Sequence, residues 1–213
     1  ACGLICADRA AVVNIKGGTF NSNGAILDMR NNVGTQPNPV ATLAGGTFTS
    51  DPRVSGLYSS NLIKVAEGYK VVENNGAWNV IVDPAAKIGE TEYASLQEAF
   101  NVGGNVTLLR NVTITEPATL AGGKTAVLDL NGKTLTAGGS GYAIENYGKL
   151  EIKNTGVING VVYAEGSSAE TTVEGGTYNA LNNGSYVFLN SQGASLTING
   201  ATINGGSSYP IYS

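Results

Sequence analysis

The chain repeats a short motif in which alternating apolar and polar residues run into a glycine pair, a threonine and an aromatic residue. Complete copies end at Phe20, Phe48 and Tyr178, and degenerate copies cover residues 150–158 and 195–203. The copies recur with a loose period of about 24 to 28 residues, as solenoid repeats do. In a solenoid each repeat is a coil that buries its apolar side chains only against neighbouring coils. The repeat therefore predicts a stack of coils.

Each copy of the motif predicts short strands joined by corners. Alternation places one side chain in two inside the coil, and the glycines and asparagines tolerate the left-handed backbone of tight corners. A corner that redirects the chain carries it around a coil, and the next coil stacks about 4.8 Å above. We therefore expect an all-β fold, a right-handed parallel β-helix. An antiparallel sandwich is the alternative, but sandwiches lack a motif that recurs at one corner.

The composition excludes several classes of protein. Only 13% of the residues are charged and 30 are glycine, which is typical of neither a disordered nor a helical chain. The net charge is −4 and no basic stripe is visible, so we expect no nucleic-acid partner. No apolar run approaches the roughly 20 residues that a membrane span needs.

Two segments break the repeat and predict caps for the ends of a solenoid. Residues 62–82 contain two strands joined at Asn74-Asn75-Gly76, a strong hairpin signal. Ser95 and Glu98 form a capping box, followed by apolar residues at the spacing of one helix face. We expect a β-hairpin cap and a short amphipathic capping helix, because a terminal coil without a cap exposes its core.

Several runs resemble a known family. Residues 88–100, 106–112 and 128–135 are similar to the opening of pectate-lyase-like right-handed parallel β-helix repeat domains, and residues 45–72 are similar to the way such domains close. These domains occur in surface proteins of gut-type bacteria and in virion proteins of their phages. The resemblance covers most of the chain. It implies the β-helix fold and an extracellular, cell-surface or virion location.

The order of the two parts departs from that family. The closing coils with the hairpin cap (1–82) come first, a linker (83–87) follows, and the helix-capped opening coils (88–213) come last. Each part thus has one capped and one ragged end, and the candidate joining residues at the ragged ends are Leu4, Ile5, Tyr209, Ile211 and Tyr212.

Three arrangements could complete the ragged ends. Copies of the chain could stack head to tail, or the sequence could be a window from a longer chain whose neighbouring coils continue the stack. Closure within one chain meets a distance problem. The linker spans at most about 18 Å, whereas about seven coils form a stack roughly 34 Å long, unless the hairpin folds back along its side.

Catalytic and metal-binding patterns are absent from the sequence. There is no histidine, and no Asp-Asp or Asp-x-Asp pair that could serve a glycosidase or bind Ca²⁺. Acidic residues such as Glu145, Glu151 and Glu174 stand singly. We therefore expect no catalytic residues, cofactor or metal, and interpret the chain as a non-catalytic structural or display module. A glycan-binding adhesin module is the alternative, and a polysaccharide lyase or hydrolase is a third, weaker hypothesis.

The tyrosines bear on the glycan alternative. The chain has 10 of them, and rings that face solvent can stack on sugars. Tyr147, beside Gly148, is the candidate glycan contact. Tyr178 occupies the position of Phe20 and Phe48 and is expected in the core. Tyr142 and Tyr186 alternate with apolar residues, so we expect them to face inward as well.

Asparagines and cysteines receive structural interpretations. Asn154, Asn179 and Asn199 follow successive strands and are expected to form a hydrogen-bonded ladder.

Cys2 and Cys6 lie four residues apart, which in a strand means about 13 Å, too far for a disulfide. We expect buried thiols, since a metal site would need further ligands, although the sequence leaves their redox state open.

Overall fold

The computed structural model describes residues 3–30, 37–56, 60–181, 186–206 and 209–213. It confirms an all-β parallel solenoid of about 8 turns with one short helix. The chain forms two compact units, Ala1–Asp83 and Pro84–Ser213, here called the first unit and the second unit.

The first unit contains two coils and the beginning of a third, followed by a hairpin. Its strands are β1 (Ile5–Ala7), β2 (Val12–Ile15), β3 (Thr19–Phe20), β4 (Leu27–Met29), β5 (Val40–Leu43), β6 (Gly46–Phe48), β7 (Ile63–Val65), β8 (Tyr69–Asn74) and β9 (Ala77–Val82), with a 3-10 turn at Ser60–Leu62. Strand β1 pairs with β4, β2 with β5 and then β7, and β3 with β6, all in parallel.

The second unit begins with two strands and the helix, and then forms five coils of three strands each. The opening elements are β10 (Ala86–Ile88), β11 (Thr91–Tyr93) and α1 (Leu96–Val102). The coils contain β12 (Gly104–Leu108), β13 (Val112–Thr113), β14 (Ala118–Leu120), β15 (Thr125–Asp129), β16 (Thr134–Thr136), β17 (Tyr142–Asn146), β18 (Lys149–Lys153), β19 (Val157–Asn159), β20 (Val161–Glu165), β21 (Glu170–Val173), β22 (Thr177–Asn179), β23 (Phe188–Ser191), β24 (Ser195–Ile198), β25 (Thr202–Asn204) and β26 (Ile211–Tyr212).

These coils stack into three parallel sheets. Sheet 1 contains β12, β15, β18, β21 and β24, sheet 2 contains β13, β16, β19, β22 and β25, and sheet 3 contains β14, β17, β20, β23 and β26. The register keeps equivalent residues in columns. Leu128 pairs with Ile152, Ile152 with Val173, and Val173 with Ile198, so one inward column of sheet 1 is apolar throughout. This stacking buries the core, as the alternating pattern predicts.

The same corner motif identifies the corresponding strands of the first unit. A glycine-containing corner separates β2 from β3 and β5 from β6, as it separates β21 from β22. Strands β2, β5 and β7 are therefore of the sheet 1 kind, β3 and β6 of the sheet 2 kind, and β1 and β4 of the sheet 3 kind. The motif's aromatic residues stack from coil to coil, with the Phe20 and Phe48 centroids 4.9 Å apart and their rings 11° from parallel.

Both caps form as the sequence predicts. In the first unit β8 and β9 make a hairpin around Asn75 and Gly76, both at positive φ, and β9 pairs antiparallel with β6. In the second unit the Ser95 hydroxyl accepts a hydrogen bond from the Glu98 N–H, which begins α1. Leu96, Ala99 and Phe100 are fully buried on one face of that helix.

A second hairpin, β10–β11, was not predicted. Strand β10 pairs antiparallel with β11 on one side and with β12 on the other, so it covers the first coil of sheet 1. It begins at Ala86, inside the segment expected to be a linker. Ala85 and Ala86 are fully buried, because small apolar side chains fit beneath α1 and extend the core to the start of the unit.

The expectation of buried thiols is wrong for Cys6. It is joined in a disulfide and lies in β1 with its side chain exposed. Its sulfur is 3.8 Å from Asp28 Oδ2, a contact rather than a hydrogen bond because a disulfide sulfur carries no proton. The expected separation assumed a continuous strand, but β1 begins only at Ile5 and Leu4 lies in a bend. Cys2 lies outside the described residues.

Tyr178 lies in the core as predicted, and its buried hydroxyl lowers the free energy of unfolding. The side chain is fully buried and the hydroxyl has no hydrogen-bond partner among the described residues. Burial raises the pKa of this phenol, so the folded state holds it neutral.

We expect Tyr178→Phe to raise the free energy of unfolding by roughly 1 kcal/mol, because it removes an unsatisfied buried polar group. The pKa of Tyr178 is higher in the folded state than in the unfolded state. The free energy of unfolding of the parent is therefore unaffected by ionisation of this phenol below about pH 10, and it falls as the pH rises above 10. Urea denaturation at pH 8 and pH 10.5 measures both effects. If the variant were less stable than the parent at both pH values, the hydroxyl would have a partner.

Candidate functional site

Within the described part of the chain, each unit has one end that carries neither the hairpin nor the helix, and the outermost strands at that end form an open edge. In the second unit this edge is formed by β24, β25 and β26, the outermost strands of the three sheets. In the first unit it is formed by β1, β2 and β3. Unpaired strand edges present rows of backbone N–H and C=O groups that can recruit another strand. We call these the second-unit edge and the first-unit edge.

The second-unit edge exposes apolar side chains from the ends of inward columns. Leu196, Ile198 and Ile203 continue such columns but are only partly buried, because no coil covers them. Ile211 is 38% exposed and Tyr212 55%, while Tyr209 is 80% exposed. The predicted joining residues Tyr209, Ile211 and Tyr212 therefore lie at this edge.

Asn190 is an unsatisfied polar group beneath the same edge. It is 3% exposed, and its Nδ2 has no hydrogen-bond partner among the residues described. Asn146, two coils earlier on the same inward column of sheet 3, is satisfied. Its Nδ2 donates to the Glu170 carbonyl and to Thr171 Oγ1, each at 2.9 Å. A buried amide without a partner costs about 1–3 kcal/mol, so the site favours an added acceptor.

An asparagine ladder also ends at this edge. Asn204 Nδ2 donates to Asn179 Oδ1 and Asn179 Nδ2 to Asn159 Oδ1, both at 2.8 Å, and Asn159 continues the ladder to Thr136. The ladder was expected to contain Asn154 and Asn199. These two lie instead at the preceding corner, where Asn154 has a φ of 66° and Asn199 donates to Glu174, because the aligned position is the end of the sheet 2 strand.

The first-unit edge, like the second-unit edge, exposes apolar side chains. Leu4 is 53% exposed and Val12 70%, and Ile5 and Val13 are partly buried. The predicted joining residues Leu4 and Ile5 therefore also lie at an open edge. Ala7, at the end of β1, is 5% exposed.

A group of tyrosines forms a second candidate site on the outer face of sheet 3. The rings of Tyr142 and Tyr147 both approach Tyr163 edge-on, with centroids 5.8 and 6.5 Å away. Tyr163 Oη lies 2.9 Å from Ser191 Oγ, which fixes the central ring. All three tyrosines are partly exposed. We call Tyr142, Tyr147 and Tyr163 the tyrosine face.

Tyr142 corrects the expectation that it faces inward. The register between β17 and β20 shifts between Tyr142 and Ile144, and Ala143 and Ile144 are both fully buried. This β-bulge breaks strict alternation and turns Tyr142 outward. Tyr186 is likewise partly exposed before the buried pair Val187 and Phe188, and its ring lies 5.5 Å from that of Tyr212.

Acidic groups border the tyrosine face. Burial first, and then the negative charges of Glu145 and Glu165, raise the pKa of Tyr147. The phenol therefore stays protonated and can donate a hydrogen bond at neutral pH. The combination of partly exposed rings, hydroxyls and carboxylates can stack on a sugar and hydrogen-bond its hydroxyl groups.

The described residues contain no group of three or more His, Cys, Asp or Glu side chains placed to hold a metal ion. Of the acidic residues named in the sequence, Glu174 accepts a hydrogen bond from Asn199, and two further acidic residues also make local contacts. Lys149 and Glu170 form an exposed ion pair at 2.8 Å, and Asp129 Oδ1 accepts a hydrogen bond from the Asn131 N–H. Such contacts stabilise the outer faces and corners of the coils.

Comparison with known proteins finds no matching family model, no matching curated protein and no matching solved structure. Within the described ranges, no helix has the length and apolar character to cross a membrane. The open edges and the tyrosine face are therefore interpreted from their own geometry.

Sequence reasoning missed Asn190, Asn204 and Val12 as edge residues. The necessary signal is the coil register, since only the alignment of Asn190 with Asn146 across two coils reveals that its acceptor is missing.

Proposed function

We propose that the chain is a non-catalytic structural module that assembles end to end with other copies through its two open edges. The observation that carries the proposal is that both edges contain one strand of each sheet kind. The second-unit edge has β24, β25 and β26, and the first-unit edge has β2, β3 and β1 of the corresponding kinds. An edge of this sort needs covering, and β2 and β3 of a second copy are strands of the kinds that can cover β24 and β25.

The side chains of the two edges support the same pairing. When the corner motifs are aligned, β24 and β2 have the same alternation, with Leu196 and Ile198 opposite Val13 and Ile15. Each strand directs these residues inward and its intervening residues outward. Stacking would continue the apolar columns of one copy into the next.

We further propose a cell surface or a phage particle as the setting, as a display module. The support is the resemblance to pectate-lyase-like β-helix domains of such proteins together with the solenoid fold. A long, low-charge stack of coils suits a fibre or a surface array, in which contacts repeat along one axis.

The assembly can be tested by light scattering coupled to size-exclusion chromatography over a range of concentrations. We expect oligomers whose mass rises with concentration, and we expect Leu196→Lys to abolish them by placing a charge in the joint. Thr197→Lys is the matched control, since Thr197 faces solvent on the same strand. A strictly monomeric parent chain, or normal assembly of Leu196→Lys, would refute end-to-end stacking. Circular dichroism verifies that both variants are folded.

Glycan binding by the tyrosine face is a second candidate function, favoured by the cluster of three partly exposed rings. On a glycan array we expect Tyr147→Ala to reduce binding about tenfold, which corresponds to about 1.4 kcal/mol of lost ring contact. Tyr147→Phe keeps the ring and separates stacking from hydrogen bonding. Absence of signal from the parent chain across a broad array would exclude this function.

A further inference from the structure

The two open edges contain one strand too many for simple stacking. In a continuous solenoid, each sheet 3 strand lies between a sheet 2 strand and the next sheet 1 strand. If β2 of a second copy stacks on β24 and β3 stacks on β25, then β4 belongs to the coil just added. Strand β1 pairs with β4 from the side of the open edge, one coil earlier. That is the position that β26 fills in the first copy, next to β23.

We propose that the copies join by strand exchange, in which β1 of the incoming copy displaces β26 and pairs with β23. This inference rests on the proposed end-to-end assembly and specifies its partner as a second copy of this chain. The displaced strand is short, and the incoming strand offers the same kind of contact. Ile5 takes the place of Ile211 opposite Phe188, and Leu4 covers Val187.

The relative strength of the two strands favours this direction of exchange. Strand β26 pairs with β23 through two residues, both exposed, and the Val187 and Phe188 N–H groups both donate to the Pro210 carbonyl just before it. Strand β1 pairs with β4 through three residues, and further hydrogen bonds join Leu4 N–H to the Ala25 carbonyl and Ile5 N–H to the Ile26 carbonyl. The disulfide at Cys6 adds a covalent constraint to β1. Flanking hydrogen bonds are thus equal in number, and the longer pairing and the disulfide make β1 the more stably held strand.

The unsatisfied amide of Asn190 fits an incoming β2. Asn146 lies in the second coil of its unit and donates to Glu170 in the fourth. Asn190 lies in the fourth coil, so the equivalent acceptor belongs to a sixth coil, which the described part of the second unit does not contain. Ser195 aligns with Glu170, and Val12 aligns with Ser195 by the corner motif. The carbonyl of Val12 from the second copy is therefore the acceptor for Asn190 Nδ2.

The asparagine ladder gives the same register independently. Asn179 and Asn204 each follow a threonine and one inward residue, and Thr19-Phe20-Asn21 has the same pattern. With β3 stacked on β25, Asn21 lies over Asn204. Its Nδ2 can donate to Asn204 Oδ1, as Asn204 donates to Asn179. Two side-chain networks on different sheets thus end where the proposed copy begins.

The register can be tested by disulfide trapping in the full chain. Asn14→Cys and Thr197→Cys together place two outward cysteines side by side across the joint, within the Cα separation a disulfide needs. We expect covalent oligomers after mild oxidation on a non-reducing gel. Val12→Cys with Thr197→Cys is the control, since it shifts one partner two residues along the strand, about 6.6 Å. Equal trapping of both pairs, or trapping of the control alone, would overturn the register.

Exchange is tested by weakening β26 alone. Ile211→Asp removes an apolar contact that holds β26 on β23, so we expect assembly at a concentration about tenfold lower than for the parent, whereas Ile211→Val leaves it unchanged. If Ile211→Asp assembles less readily than the parent, β26 is part of the joint, and strand exchange is wrong while end-to-end assembly stands. If the parent and every variant stay monomeric and show no trapping, the proposed function itself fails.

Discussion

Phe100→Ala is expected to lower the free energy of unfolding of the second unit by about 3–5 kcal/mol, the usual cost of removing a large aromatic side chain from a core. The ring is fully buried, and it lies on the inner face of α1 beside Leu96 and Ala99. This helix covers the first coil. Because each coil of a solenoid is stabilised by its neighbours, a cavity beneath the cap weakens the point from which unfolding can spread.

Urea denaturation followed by circular dichroism measures the effect. Val102→Ala is the matched control, since Val102 lies on the same helix but is 55% exposed, and a change within about 0.5 kcal/mol is expected. Trp78 is the sole tryptophan and lies in the first unit, so its fluorescence reports that unit separately. A loss no greater than that of Val102→Ala would mean that the helix does not act as a structural cap.

The elements that the sequence predicted are those set by local chemistry. Asn75-Gly76 specifies a tight hairpin because both residues adopt positive φ readily, and Ser95 with Glu98 specifies the start of a helix. The strands of the coils follow from alternation, and Tyr178 takes the buried position of Phe48 because both occupy the same place in the motif. None of these requires knowledge of a distant residue.

The features that escaped prediction depend on how one coil sits on another. The bulge at Ala143 turns Tyr142 outward, and only the register with β20 reveals it. The pairing of β10 with β12 joins segments that share no motif. Asn190 looks like any other strand asparagine until its column is compared with Asn146. In a solenoid, these features depend on the register between stacked coils, and a loose repeat period specifies that register only weakly.

The two candidate sites depend on the register between coils to different degrees. The tyrosine face depends on side chains of one sheet and could serve binding without assembly. The edges depend on backbone pairing and on two interrupted hydrogen-bond networks, at Asn190 and Asn204. Apolar exposure alone would be compatible with many partners. In the proposed assembly, the matching strand kinds favour as partner a β-solenoid with this coil shape, and a second copy has that shape.

A second large effect on stability is expected at Gly148, where two stacked coils approach each other closely. Gly148 lies at the corner between β17 and β18, where the chain crosses directly above the preceding coil. A Cβ at this position would lie 2.3 Å from the Lys124 carbonyl oxygen and 2.8 Å from the Ala121 carbonyl oxygen. Both are backbone atoms, and Lys124 O accepts the Lys149 N–H bond that holds the two coils together. Neither oxygen can move without breaking that contact.

We therefore expect Gly148→Ala to destabilise the second unit by about 3 kcal/mol, the upper part of the usual range for overpacking. Gly139→Ala is the control, because a Cβ there meets nothing within 4 Å and its backbone needs no positive φ. It should be neutral or slightly stabilising, since alanine restricts the unfolded chain. Thermal and urea unfolding of the pair measure the difference. Equal stability of the two variants would mean that the coils are spaced more loosely at this corner than their hydrogen bonds imply.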